Sequence, residues 1–289
     1  MGTTFAFEAI GTHWRIELTE ELSALSASSL EKKIKERIDD FDRDYSRFRD
    51  DSLVAEMARK AGKYRLPDDG PALMLLYERV YDITNGKVTP LIGRVMEEAG
   101  YDKQYSLLPK EVHSPPAWDD VLIFDGSNLT LRKPALLDVG AAGKGYLVDL
   151  VARVIGGAGH DSFMIDAGGD IIHRDAIGAK LRVGLEHPLH LDKVIGVAEL
   201  GDESICGSAG NRRAWDKYTH IIDPTTLASP RDILATWVVA DTTLLADMLA
   251  TCLFFVSPET LIPHFTFQHI ILYKDLAVTR SSDVRVEFF

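Results

Sequence analysis

Asp247 and Thr251 stand four residues apart in Ala246-Asp247-Met248-Leu249-Ala250-Thr251. On a helix this spacing puts a carboxylate and a hydroxyl on one face, a turn apart, where both could reach a single hard cation such as Mg²⁺. Leu244, Leu245, Leu249 and Leu253 bury the helix around them, so an aspartate there needs a partner. The plain alternative is a half-exposed acid or a partner for capped backbone. A second constellation runs from Asp138 to Asp149 as Asp-Val-Gly-Ala-Ala-Gly-Lys-Gly-Tyr-Leu-Val-Asp. Its glycines let backbone groups approach a ligand closely, and a helix N-terminus with Lys144 favours a phosphate. Close strand–helix packing with a surface lysine accounts for the same residues. The run matches neither the Gly-Lys-Ser/Thr ending nor Gly-x-Gly-x-x-Gly, which excludes the standard nucleotide loops.

His220 opens His220-Ile221-Ile222-Asp223-Pro224, a short apolar strand closed by an Asp-Pro turn. At such a rim an imidazole can bind phosphate or move a proton, although a lone histidine is also an ordinary structural residue. Ile165 to Ile171 carries Gly168-Gly169, either an amide nest facing a phosphate or a plain hairpin turn. Ser204 to Arg213 is a small-residue loop with guanidiniums at Arg212 and Arg213, and no Gly-x-Ser-x-Gly elbow accompanies its serines. His13, His173, His187, His190, His264 and His269 lack metal-ligand spacing, and Cys206 and Cys252 supply neither a disulfide framework nor a zinc site.

These residues need elements to carry them. Phe5 to Leu18 alternates as a strand or hairpin interrupted at Gly11-Thr12. Leu30, Ile34, Ile38, Phe41, Tyr45 and Phe48 recur with helical spacing, and a second helix over roughly 71–84 stops at Asn85-Gly86. The prolines of 102–120 mark a linker where two subdomains of a single unit would join. Strands are expected at 121–124, 129–131, 136–140 (running into a helix near Gly145), 164–165, 171–172, 183–185, 194–200 and 237–240. A helix is expected over 242–255, and strands at 270–273 and 284–288 close the sheet. Hairpins mixed with separate helices predict an α+β fold, its sheets mixed and largely antiparallel.

The chain has 289 residues, enough for a substantial core, and a net charge of −12 without any Lys/Arg-rich run. General nucleic-acid binding is thereby disfavoured, and an anionic ligand would need a local cation. The N-terminus has no basic segment leading into an apolar run, and no stretch approaches a membrane span of about 18 apolar residues. A cytoplasmic protein without a membrane segment is expected, or an exported one if a leader precedes it.

Taken in order, the motifs resemble the ApbE-type FAD:protein FMN transferase (flavin transferase) family over nearly the whole chain. They are Ile10-Gly11-Thr12, Tyr45-Ser46-Arg47-Phe48, Gly86-Lys87-Val88-Thr89-Pro90, Asp138 to Asp149, Asp166 to Asp170, Ser208 to Arg212, His220 to Pro224, and Ala246-Asp247 with Thr251. The resemblance implies Mg²⁺ held by the Ala141 carbonyl with Asp247 and Thr251. It also implies FAD, as substrate, bound by Ile10, Phe48, Lys87, Val88, Thr89, Asp138 and Lys144, with His220 near the diphosphate. FMN would pass to a Ser/Thr hydroxyl of an acceptor protein, releasing AMP, with His220 or Asp247 assisting proton removal. Water in place of the hydroxyl gives an FAD pyrophosphatase, and loss of chemistry gives an FAD-binding protein. The chain departs from the family pattern at Ile10, usually Met, at Thr89, often Asp, at Thr225-Thr226, where Thr-Gly is usual, and at Ala250, acidic in some members.

Overall fold

The computed structural model of the chain describes residues 2–211 and 213–289. Alternating side chains build its first hairpin. In β1 (Thr4–Ala9) and β2 (Thr12–Leu18), Trp14, Ile16 and Leu18 are buried while His13 and Arg15 face out. The two-residue turn uses positive φ at both Ile10 (45°) and Gly11 (74°), the twist a tight hairpin requires. The main sheet continues through β3 (Phe163–Ala167), β4 (Asp170–Arg174), β5 (Ser204–Ala209), β6 (Ile233–Ala240), β7 (Gln268–Tyr273) and β8 (Val278–Arg280). All eight strands lie side by side in chain order, and each neighbouring pair is antiparallel.

Four long helices matter for the site: α1 (Ala24–Tyr45), α2 (Gly70–Ile83), α3 (Gly143–Gly157) and α4 (Thr243–Cys252). The Ser23 side chain caps α1, whose buried stripe is Leu30, Ile34, Ile38, Phe41 and Tyr45. Ser46 is extended, so Phe48 lies past the end of the helix instead of on its stripe. Pro71 starts α2, and Asn85 and Gly86 follow its end with positive φ.

Along β6, Val238 joins the core that holds Leu147 and Val151 of α3 with Met248 and Leu249 of α4. Its neighbours Trp237 and Val239 join a second core with Leu185, Ala198 and Leu200. Alternation therefore places the helices on one face of the sheet and a three-stranded sheet (Leu181–His187, His190–Leu200 and Val286–Phe288) on the other. A further three-stranded sheet pairs Gly62–Arg65, Asn128–Leu131 and Leu122–Phe124. The fold is thus α+β with antiparallel sheets, as the patterning predicts.

Four expectations are corrected. Ser204–Ala209, expected within a small-residue loop, is β5 of the main sheet, and residues 220–222, expected as a strand, lie beyond the two-residue strand Tyr218–Thr219. Val286–Phe288 does not close the main sheet; it pairs with Gly196–Ala198. Residues 134–139 form no strand, because the Asp138 N–H is taken by the Pro90 carbonyl (2.8 Å) and its carboxylate turns back on Gly140. Residues 102–117 form neither helix nor strand, yet Leu73 and Tyr77 before this stretch share one core with Trp118, Leu129 and Ile165 after it. Among the described residues, no helix is long and apolar enough to cross a membrane.

Candidate active site

Two helices meet where the sequence concentrates its chemistry. Thr242 caps α4 through Leu245 N–H. Asp149 of α3 takes two more of its free amides, Thr243 N–H at 3.0 Å and Leu244 N–H at 2.8 Å. The last acid of the 138–149 run is therefore a positioning group that docks α4 onto α3. Gly145 permits the contact, since a Cβ there would sit on the Thr243 carbonyl oxygen and 2.6 Å from Asp247 Cβ. At this crossing Asp247 Oδ2 accepts the Gly145 N–H at 2.8 Å. One turn along, Thr251 Oγ1 donates to the Ala141 carbonyl across 3.4 Å. The turn that carries the Ala141 carbonyl and the helix that carries Asp247 and Thr251 thus meet, from segments more than 100 residues apart in sequence. Among the described residues no cluster of three or more His, Cys, Asp or Glu side chains could hold a metal ion.

Charges crowd the same place. Lys144 forms an ion pair with Asp170, which is buried beside the Gly168-Gly169 turn. Both glycines of that turn have positive φ, and a Cβ on Gly168 would collide with Thr12 Oγ1 of the first hairpin. Burial, then the Asp170 carboxylate, push the Asp247 pKa well above the usual range, while Lys144 and the Gly145 N–H pull the other way. Burial opposes the Lys144 ammonium, but Asp170 and Asp247 outweigh it and raise its pKa, so the lysine is charged at neutral pH. His220 is pushed down to about 4 by burial and by the neighbouring Arg213, and is neutral at pH 7.

Asp138 lies at the start of the turn. Its Oδ1 accepts Gly140 N–H at 2.7 Å, and its Oδ2 accepts Arg47 Nε at 2.5 Å. Thr89 is buried, its hydroxyl spent on Leu91 N–H, and Val88 is a core side chain. Their stretch still abuts the turn, through the Pro90 carbonyl bonded to Asp138. Lys87 Nζ reaches the Phe255 carbonyl at 3.4 Å, beyond α4. Phe48 stacks on Tyr105 (5.3 Å between centroids, 6° between planes) and meets Tyr101 edge-on. Ile10 is half buried at the hairpin tip, opposite which Arg213 approaches Gly11 and donates to Tyr101 Oη at 2.7 Å. Arg212 lies outside the described residues.

Among the described residues, the buried side-chain nitrogens and oxygens without a hydrogen-bond partner belong to Arg47, Tyr77, Asp170 and His220. All four belong to this place. Charges on Asp138 and Asp247 act on the Tyr77 hydroxyl, those on Arg213, Lys144 and Asp138 act on His220, Asp170 pairs with Lys144, and Arg47 pairs with Asp138. Buried polar groups are normally satisfied, so a cluster of unsatisfied ones marks a place built to receive a polar ligand. Sequence reasoning gave Tyr77, Asp170 and Arg47 no role; Tyr77 reads as one more apolar position on α2, and only its hydroxyl distinguishes it.

The chain is similar to known proteins along this whole arrangement. It is 24% identical to the FAD:protein FMN transferase of Vibrio cholerae serotype O1, over 86% of this chain and 80% of that one. It is 23% identical to that of Escherichia coli strain K12, over 89% and 79%. The solved structure of the flavin transferase ApbE from Vibrio cholerae superposes with a TM-score of 0.81 at 19% identity, covering 97% of this chain and 96% of the other. The ApbE protein from Thermotoga maritima does so with 0.83 at 20% identity, covering 98% and 97%. These superpositions carry the fold. The ApbE family's sequence model matches residues 10–269, from the first hairpin's tip through the 138–149 turn, His220 and α4, and the chain belongs to the ApbE family.

Proposed function

We propose that this chain transfers FMN from FAD to a serine or threonine hydroxyl of an acceptor protein, with Mg²⁺ bound by the Ala141 carbonyl, Asp247 and Thr251. The observation that supports the reading is that Thr251 meets the Ala141 carbonyl while Asp247, one turn earlier on the same helix, accepts the Gly145 N–H of the same turn. The names of its relatives, FAD:protein FMN transferases, support the transferred group and the donor. The donor set suits the ion: Mg²⁺ takes oxygen ligands, usually one or two carboxylates with substrate phosphates and several waters, and Asp247 supplies the carboxylate here. Ala250 is buried and adds no ligand.

When bound, Mg²⁺ offsets the charge of the FAD diphosphate and polarises the phosphorus under attack. The chain's own groups do the rest. Lys144, held by Asp170 and charged, faces the anionic diphosphate against an overall field of −12. The acceptor hydroxyl oxygen bonds to the phosphorus on the riboflavin side, and the bond from that phosphorus to the bridging oxygen breaks. AMP leaves with the bridging oxygen. Asp247 is committed to the cation and to Gly145, so the neutral imidazole of His220 takes the hydroxyl proton. An anionic diphosphate beside His220 raises its basicity above that of the free protein.

The test is to incubate the purified chain with FAD and Mg²⁺, with and without an acceptor carrying a Ser/Thr-Gly-Ala segment. AMP together with a covalently fluorescent acceptor supports transfer. AMP and free FMN without acceptor replace it with FAD hydrolysis, and bound FAD without AMP in either arm leaves only a binding protein.

A further inference from the structure

Of the four described residues with unsatisfied buried polar atoms, Arg47 has the most such atoms. It is 2% exposed, just beyond the C-terminus of α1, and its guanidinium lies 4.2 Å from the Phe48 ring centroid and 4.9 Å from that of Tyr101. Its Nε donates to Asp138 at 2.5 Å, while both of its terminal nitrogens are buried without a partner. Burying a guanidinium with one nitrogen satisfied costs stability that an apolar side chain of similar size would not. Such a group is kept where it fixes a geometry.

That geometry is the turn at Asp138. Arg47 holds Asp138 Oδ2, and the other oxygen of the same carboxylate holds Gly140 N–H at 2.7 Å. The Asp138 N–H is tied to the Pro90 carbonyl. The next carbonyl after Gly140 is that of Ala141, the one that meets Thr251. The guanidinium thus lies against two aromatic rings, and the carboxylate it pairs with bonds the turn.

We propose that Arg47 is a positioning residue for the cation site, acting through Asp138 to aim the Ala141 carbonyl at Thr251 and Asp247. The proposal rests on the Mg²⁺ reading above. Its test is calorimetric titration of Mg²⁺ into FAD-saturated protein, with FAD affinity measured separately in chelator and folding followed by circular dichroism. Arg47→Met, which keeps bulk without charge, is expected to weaken Mg²⁺ binding about tenfold or more. Its FAD affinity in chelator should fall less than its Mg²⁺ affinity, and its kcat should recover at saturating Mg²⁺ while the KM for Mg²⁺ stays high. Arg47→Lys recovers part of the loss. Asp138→Asn, which still accepts the Gly140 N–H but cannot pair with a guanidinium, loses Mg²⁺ affinity to a similar degree. The double variant loses no more than the worse single one, because both act through one contact.

Unchanged Mg²⁺ affinity in a folded Arg47→Met, equal weakening of Mg²⁺ and FAD, or additive losses would overturn the proposal. If Arg47→Met does not fold, Asp138→Asn decides: unchanged Mg²⁺ affinity there overturns it equally. Wild-type protein that binds no Mg²⁺ removes the reading beneath, whereas normal wild-type binding with unaffected variants removes the Arg47 proposal alone.

Discussion

The Thr251 hydroxyl meets the Ala141 backbone carbonyl across 3.4 Å, joining the end of one helix to the turn that opens another, 110 residues earlier. Under the proposed function, a divalent cation enters between this carbonyl and hydroxyl, with Asp247 one turn back, by displacing one weak hydrogen bond.

Asp247→Ala is expected to reduce Mg²⁺-dependent AMP release from FAD by about a hundredfold or more, the scale of a lost metal contact at a developing charge. Its far-ultraviolet circular dichroism should stay that of the parent. Thr251→Val, nearly isosteric, should cost less, about tenfold in Mg²⁺ affinity. Full turnover with ordinary metal dependence in Asp247→Ala would remove the metal assignment.

Lys144→Ala is expected to weaken FAD binding and, by leaving the Asp170 carboxylate buried without its cation, to lower stability by about 2 kcal/mol. Adding Asp170→Asn should restore stability but not affinity. Fluorescence titration with FAD and urea unfolding separate the two effects; an unchanged dissociation constant counts against the phosphate role of the lysine.

Gly145→Ala drives a methyl into the Thr243 carbonyl and Asp247, so it should cost about 2 kcal/mol and disturb turnover together. Gly156→Ala, on the same helix with open space around it, should instead stabilise by about 0.5 kcal/mol with normal turnover. Equal effects of the two substitutions in thermal unfolding would contradict the close helix crossing.

Two groups set the pH behaviour. The raised Asp247 pKa means that Mg²⁺ binding displaces a proton, so apparent Mg²⁺ affinity should rise with pH, and calorimetry in buffers of different ionisation enthalpy should detect the released proton. His220, depressed to about 4, binds fewer protons folded than unfolded between about pH 4 and 6.5. Its contribution is therefore fully present above pH 6.5 and lost as pH falls through that window. The free protein should lose up to about 3 kcal/mol more than His220→Gln between pH 7 and 4. Parallel urea-unfolding profiles for the two proteins would refute this.

Much of this arrangement is legible in the sequence, because side-chain periodicity reports elements directly. Trp14, Ile16 and Leu18 mark β2, Gly168-Gly169 mark a hairpin turn, and the Asp247–Thr251 spacing marks one helical face. What periodicity does not report is the partner. Val286–Phe288 has a strand's pattern but pairs with the small sheet, since alternation specifies a face and not a neighbour. The Leu136–Val139 run looks like a strand but is a turn tied to Pro90, and Arg47 and Asp138 are brought together across 91 residues. Asp149 reads as one more motif acid until the amides of α4 are seen to end on it. The Ala141 carbonyl has no side-chain signature; only the family resemblance pointed to it before the geometry did.

Transfer of FMN is read most directly from the intact mass of an acceptor protein incubated with this chain, FAD and Mg²⁺. The acceptor is expected to gain one FMN on a Ser/Thr residue with one equivalent of AMP released, and chelator or Asp247→Ala to abolish both. An acceptor of unchanged mass and no AMP, from protein shown to bind FAD and Mg²⁺, would contradict it.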